Sequence, residues 1–354
     1  MADNPYSSLP DHRFWRKAVA SMPPFALDPI IATPFKISPR DKVATAGSCF
    51  AQEIAHRLQQ SGYHYYLPEQ PPEGMSAAEA ERRNYSMYSC RYGNLYTTTQ
   101  LLQLIQRAYG DFTPDLDVWT RDDGRVVDPF RPRIEPDGYA NAEEMRADRV
   151  GHFAAVREMI ETMDVFVFTF GLTECWRHKS DGAVLQLAPG VAGGDYDPRS
   201  YEFWNMTVGE VVRDFLASAD LIQAKNPNAR MILSVSPVSI IATSEDRHVL
   251  VSNSASKAIL RAAADEVVRS RENIAYFPSY DLVTAAPNAA RFYGDDTRRI
   301  NSFGIDRTMK MFFDHFTSRP TDQQGVVQAL QLDVAAEAKS NARVVCDEEA
   351  IESA

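Results

Sequence analysis

Lys42-Val43-Ala44-Thr45-Ala46-Gly47-Ser48-Cys49-Phe50-Ala51 changes its pattern halfway along. Residues 42–47 form a compact, mostly apolar run. After it, Phe50, Ile54 and Leu58 recur at helical spacing, with Ala51 and Ala55 beside them. An apolar run without alternation suits a strand covered on both faces, which is the signature of a parallel sheet. Three further runs read the same way: Val165 to Phe170 ending in Gly171, Met231 to Ser236 ending in Pro237, and Ile274 to Phe277 ending in Pro278. Helical patterns lie between and after them. Residues 207–224 open with Thr207 and Glu210 at capping-box spacing, and 254–269 and 302–316 place their apolar residues mostly on one face. Strands alternating with helices predict an α/β fold, a three-layer αβα sandwich around a central parallel sheet.

The composition fits that reading. The chain has 354 residues, of which 44% are hydrophobic, enough to bury a sizeable core and to exclude global disorder. Lys and Arg number 37 against 48 Asp and Glu, a net charge of −11, and no basic block offsets it, so nucleic acid is not an expected partner. No apolar run approaches the roughly 18 residues of a membrane span, and Met1-Ala2-Asp3-Asn4 begins no basic-then-apolar export signal. Cys49, Cys90, Cys175 and Cys346 are widely spaced without a CxxC pair, so reduced thiols and a cytoplasmic location are expected. P-loop, GxGxxG and HExxH patterns are all lacking; no cofactor and no metal are expected. The sequence carries no signal for oligomeric state.

Three segments flank or interrupt the alternating region, 42–317. Residues 1–41, broken by seven prolines, read as an extension whose Tyr6, Phe14, Trp15, Phe25, Ile30 and Ile31 pack on the domain. Residues 110–149 are long for a connection and suit a lid. Residues 318–354 suggest one helix near 322–339 and then a solvated acidic terminus (Asp347, Glu348, Glu349, Glu352).

In open parallel sheets chemistry gathers at the carboxyl ends of the strands. Ser48 and Cys49 stand at the first such end, at the mouth of a helix whose free N–H groups stabilise an anion. A thiol there is expected below its usual pKa of about 8.5, and the same N–H groups suit a developing oxyanion. Gly47 permits the tight turn. The plain alternative is a small buried cysteine beside a serine N-cap.

Gly47-Ser48-Cys49-Phe50-Ala51 resembles the signature of the GSCFA-domain family, which belongs with the SGNH (GDSL-like) hydrolases and acyltransferases. The resemblance spans about residues 40–317 through Tyr92-Gly93-Asn94-Leu95-Tyr96-Thr97, Gly171-Leu172-Thr173-Glu174, Ser236-Pro237-Val238, Ser256-Lys257 and Tyr276-Phe277-Pro278-Ser279-Tyr280. It implies an SGNH-like, flavodoxin-like sandwich acting on an acyl ester, a small molecule or a saccharide, as hydrolase or O-acyltransferase. By position Cys49 takes the nucleophile's place, and a slip of one residue gives Ser48 instead. Gly93 falls on the second-block glycine with Asn94 beside it. Gly171, Thr173 and Glu174 fall on the third block, with Thr173 in place of the oxyanion-donating asparagine. The last block, Asp-x-x-His, falls on Asp296-Thr297-Arg298-Arg299, where Arg299 cannot act as a base.

The base must then come from elsewhere. His248, in the loop after the third strand near Glu245 and Asp246, is the first candidate, and His178, after Trp176, the second. A thiol needs less help than a hydroxyl. Arg298 or Arg299 would tune the thiol, hold an anionic group, or pair with Asp295 or Asp296. The rival reading is a non-catalytic module on the same fold that recognises a carbohydrate or an anionic ligand.

Overall fold

The strand and helix patterns become, in chain order, β1 (Val43–Gly47), α1 (Cys49–Gln60), α2 (Ala77–Arg82), α3 (Thr98–Tyr109), β2 (Trp119–Thr120), β3 (Val126–Val127) and α4 (Ala142–Thr162). There follow β4 (Val165–Phe170), β5 (Glu174–His178), β6 (Val184–Leu185), β7 (Tyr201–Asn205), α5 (Val208–Lys225), β8 (Arg230–Val235) and α6 (Val249–Ser270). The last are β9 (Ile274–Phe277), α7 (Ser279–Thr284), α8 (Ala289–Phe292) and α9 (Ser302–Phe316). The computed structural model describes residues 4–318 and 344–352; the helix expected at 322–339 lies outside them.

The four apolar runs form one parallel sheet in the order β1-β4-β8-β9. Because successive strand residues point to opposite faces, β4 serves two cores. Phe166, Phe168 and Phe170 pack with residues of α3, α4, α5 and α6, whereas Val165 and Val167 pack with residues of α1, α7 and α9. That division is the expected three-layer sandwich. On the other side of β1, Tyr65 forms a parallel bridge with Val43. The chain therefore leaves β1 to one side and crosses to β4 on the other, which makes the carboxyl end of β1 a topological switch point.

Three regions depart from the sequence reading. The stretch after Gly171 is a three-stranded antiparallel sheet, β6-β5-β7, rather than a loop. Helix α6 starts at Val249, five residues earlier than expected, because His248 caps it: the ring Nδ1 accepts from Leu250 N at 3.1 Å. In the extension, Leu27 and Ile37 are buried and Ile30 packs against the core, yet Tyr6, Trp15, Phe25 and Ile31, four of the six residues expected to pack, are exposed.

The segment 110–149 holds the β2–β3 hairpin and the start of α4. It is tied down by buried ion pairs. Asp128 meets Arg131 and Arg149, and Asp148 meets Arg91 at 3.0 Å and Arg131 at 2.6 Å. Among the described residues, no helix is long and apolar enough to cross a membrane.

Candidate active site

Gly47 ends β1 at φ +127°, and a Cβ there would lie 2.3 Å from the Thr169 carbonyl oxygen of β4. Only glycine fits both the conformation and the space. The backbone then stitches the separate sequence blocks together. Ser48 N donates to Thr169 O (3.1 Å), Leu95 N to Gly47 O (2.8 Å), and Gly171 N to Tyr96 O (3.0 Å). Gly171 packs so closely that an added Cβ would come within 3.0 Å of Ser48 Cβ and of the Tyr96 ring. Gly93, at φ +72°, leaves room for Gln186 Nε2, which a Cβ would approach to 2.5 Å. Ser48, Cys49, Gly93, Asn94 and Gly171 thus share one end of the sheet.

Cys49 is the first residue of α1 and is buried. Its thiol is not depressed as expected but pushed well up. The neighbouring Cys346 thiol contributes most, with burial next and the charge of Glu348 after them; Arg298 pulls the other way without prevailing. Desolvation and an acidic neighbour outweigh what a helix mouth supplies. Ser48 is the N-cap of α1, but its side chain makes no cap bond, and its buried hydroxyl has no partner among the described residues.

A buried lysine lies within electrostatic reach of the thiol. Lys257, on α6, is 1% exposed and donates from Nζ to the Gly171 carbonyl at 2.8 Å. Burial brings its ammonium down to about 8, although Glu348 and Cys49 pull it up. A lysine neutral near that pH can accept a proton.

A cradle of donors lies beside them. Asn94 Nδ2 (2.7 Å), Gln186 Nε2 (2.9 Å) and, more loosely, Asn94 N (3.4 Å) converge on one carboxylate oxygen of Asp347. Gln52 orients Asn94 by donating to its Oδ1 at 3.0 Å. The acidic terminus is accordingly not solvated: Asp347 and Glu348 are 2% and 5% exposed. Glu348 meets Arg298, and Glu349 meets Arg298 and Arg299. The Tyr96 hydroxyl, buried and without a partner among the described residues, feels the charges of Glu348, Asp347 and Cys49.

Other expected residues stand apart. His248 is exposed at the first turn of α6, nine residues before Lys257 and so roughly 13 Å along the helix. No histidine is among the groups that shift Cys49, so the structure does not bring this ring to the thiol. His178, on β5, shares a bond with Ser180. Asp296 accepts from the N–H groups of Arg298 and Arg299 and closes a turn, while Arg299 is exposed. Thr173 is buried and donates to Ser256 Oγ at 3.0 Å, and Glu174 accepts from Thr243 Oγ1 at 2.8 Å. The groups overlooked as functional are Lys257, Gln186, Tyr96 and the terminus. Lys257 had a signal, a lone lysine among Ala258, Ile259 and Leu260; Gln186 had none, since its value lies in a pairing 92 residues away.

No curated protein matches the chain. Among solved structures, a carbohydrate esterase family 3 enzyme from Talaromyces cellulolyticus is similar over 66% of this chain and 91% of that one, at 10% identity and a TM-score of 0.27. The model of the GSCFA family matches residues 42–312, from β1 into α9. With Cys49, Lys257 and Arg298 all inside that span, the chain is a member of the GSCFA family.

Proposed function

We propose that the site transfers an acyl group from an ester, as a hydrolase or an O-acyltransferase, with Cys49 as nucleophile and Lys257 as base. The observation that carries the reading is the buried pair itself. A buried thiol at a helix mouth lies within electrostatic reach of a buried lysine brought down to about 8, and N–H donors hold a carboxylate oxygen of Asp347 at the same end of the sheet.

Neutral Lys257 takes the thiol proton as sulfur attacks the acyl carbon. The C–S bond forms and the carbonyl oxygen becomes an oxyanion. N–H groups at Cys49 and Gly93, with the Asn94 amide, offset that charge; Thr173, whose hydroxyl and N–H both go to Ser256, does not donate. As the C–O bond breaks, the leaving alkoxide recovers the proton from Lys257. Water, or the hydroxyl of an acceptor saccharide, then gives its proton to Lys257 and attacks the thioester, releasing the acid or a new ester and restoring the thiol. His248 has no part in this scheme, and Ser48 is the alternative nucleophile.

Cys49→Ala and Ser48→Ala should be assayed on short-chain acyl esters and acetylated saccharides. Loss in Cys49→Ala with retention in Ser48→Ala supports the assignment; full activity in both removes it. The second reading, a binding module for an anionic ligand or carbohydrate, is favoured by Arg299 standing where the superfamily's histidine belongs and by the carboxylates gathered on Arg298. It would be marked by ligand binding without turnover.

A further inference from the structure

Residues 345–349 lie across the centre just described. Val345 N donates to Gln52 Oε1 (3.0 Å), and its carbonyl accepts from Gln52 Nε2 and Asn94 Nδ2, both at 2.9 Å. Cys346 contacts the Cys49 thiol, Asp347 fills the donor cradle, and Glu348 occupies Arg298. Arg133, from the 110–149 segment, donates to the Asp347 carbonyl at 3.3 Å. Beside the segment runs a groove of about 880 Å³, walled by Val344 to Cys346, Glu349 and Ala350 on one side and by Arg121, Arg133 and Gly190 to Gly194 on the other. Burying two carboxylates costs free energy unless donors and cations meet them. Here both carboxylates are met by the groups that a substrate would need.

We propose that residues 345–349 are an autoinhibitory segment: they occupy the Cys49 site as an internal ligand and must withdraw before an ester can enter. The inference rests on Cys49 being the centre of the proposed reaction. It explains why the nucleophile has no open path while a groove stands next to it. Withdrawal takes away the neighbouring Cys346 thiol and the Glu348 charge, both of which hold the thiol protonated, so opening the site and activating the thiol are one event.

The test uses the full chain carrying Asp347→Ala and Glu348→Ala together, with iodoacetamide as probe and peptide mass mapping as readout. Cys49 should alkylate at least tenfold faster than in the wild type, with Cys90 and Cys175 unchanged. An equal Cys49 rate in a folded double variant overturns the proposal. Should that variant not fold, Glu348→Gln should give a rise of about threefold, and no rise overturns it. Hydrogen exchange on the unaltered chain supplies an independent check. Amides of 345–349 should exchange at least a hundredfold faster than those of β4, since release needs no global unfolding; equal protection overturns the idea. Neither readout requires turnover. A freed, reactive Cys49 that hydrolyses no ester would sink the acyl-transfer reading alone, and ester hydrolysis with tail-independent alkylation would sink autoinhibition alone.

Discussion

Lys257 Nζ lies 2.8 Å from the carbonyl oxygen of Gly171, the glycine pressed against Ser48. Through that bond α6 fixes its ammonium to the third sequence block and, across it, to the first. Lys257 and Cys49 are held by different layers of the sandwich, α6 and α1.

A lysine at about 8 is roughly one-tenth neutral at pH 7 and nine-tenths neutral at pH 9. Because the neutral form is the base, kcat/KM should rise with pH and then level, and withdrawal of Glu348, whose charge holds the lysine up, moves that rise to lower pH. Lys257→Met should lose about a hundredfold or more at pH 8 and flatten the profile. A step that survives in Lys257→Met would assign the base elsewhere.

Gly47→Ala should be among the most damaging small substitutions in the chain. It combines a backbone conformation costing about 1–3 kcal/mol for other residues with an overlap on Thr169 that neither backbone can relieve. Chemical denaturation should show a loss of at least about 2 kcal/mol. Gly62→Ala, where an added Cβ meets nothing within 4 Å, should cost less.

Cys49 and Cys346 should pair under a diazene oxidant such as diamide. The two thiols give up two protons and two electrons, forming one S–S bond while the N=N group becomes a hydrazine. Peptide mapping without reductant should find the 49–346 linkage, with Cys90 beside Met159 and Cys175 against the Trp204 carbonyl still free. Random pairing among the four cysteines would contradict the placement of the terminus.

Acid should loosen the 110–149 segment. Burial alone would raise the Asp148 carboxyl, but Arg131 and Arg91 prevail and hold it near 2. Its pKa is thus depressed in the folded state, so its contribution is complete above about pH 4 and is lost as pH falls toward 2. Melting temperature should drop more steeply over that window in the wild type than in Asp148→Asn. At pH 7 that variant should be less stable by about 2 kcal/mol, because Arg91 keeps Glu135 and Arg131 keeps Asp128.

The architecture was legible because it rests on local patterns. Unbroken apolar runs such as Val165–Phe170 and the capping box at Thr207 and Glu210 state their structure within a few residues. The first block's position at the mouth of α1 was equally readable. What escaped was set by burial and by distant pairing. Nothing in Ser256-Lys257 says that the lysine is desolvated against Gly171, and nothing in Asp347-Glu348 says that an acidic terminus sits inside the protein. Short β5, β6 and β7 were missed because each is stabilised by its neighbours rather than by its own pattern.

Because the occupant of the cradle belongs to the same polypeptide, its local concentration does not depend on how much protein is present. Diluting the protein cannot relieve it, and an outside ester must outcompete it at every turnover. An affinity tag or a trimming cut placed at the carboxyl end would therefore alter the kinetics at Cys49, about 300 residues away in the chain, so preparations differing only there should not be expected to agree.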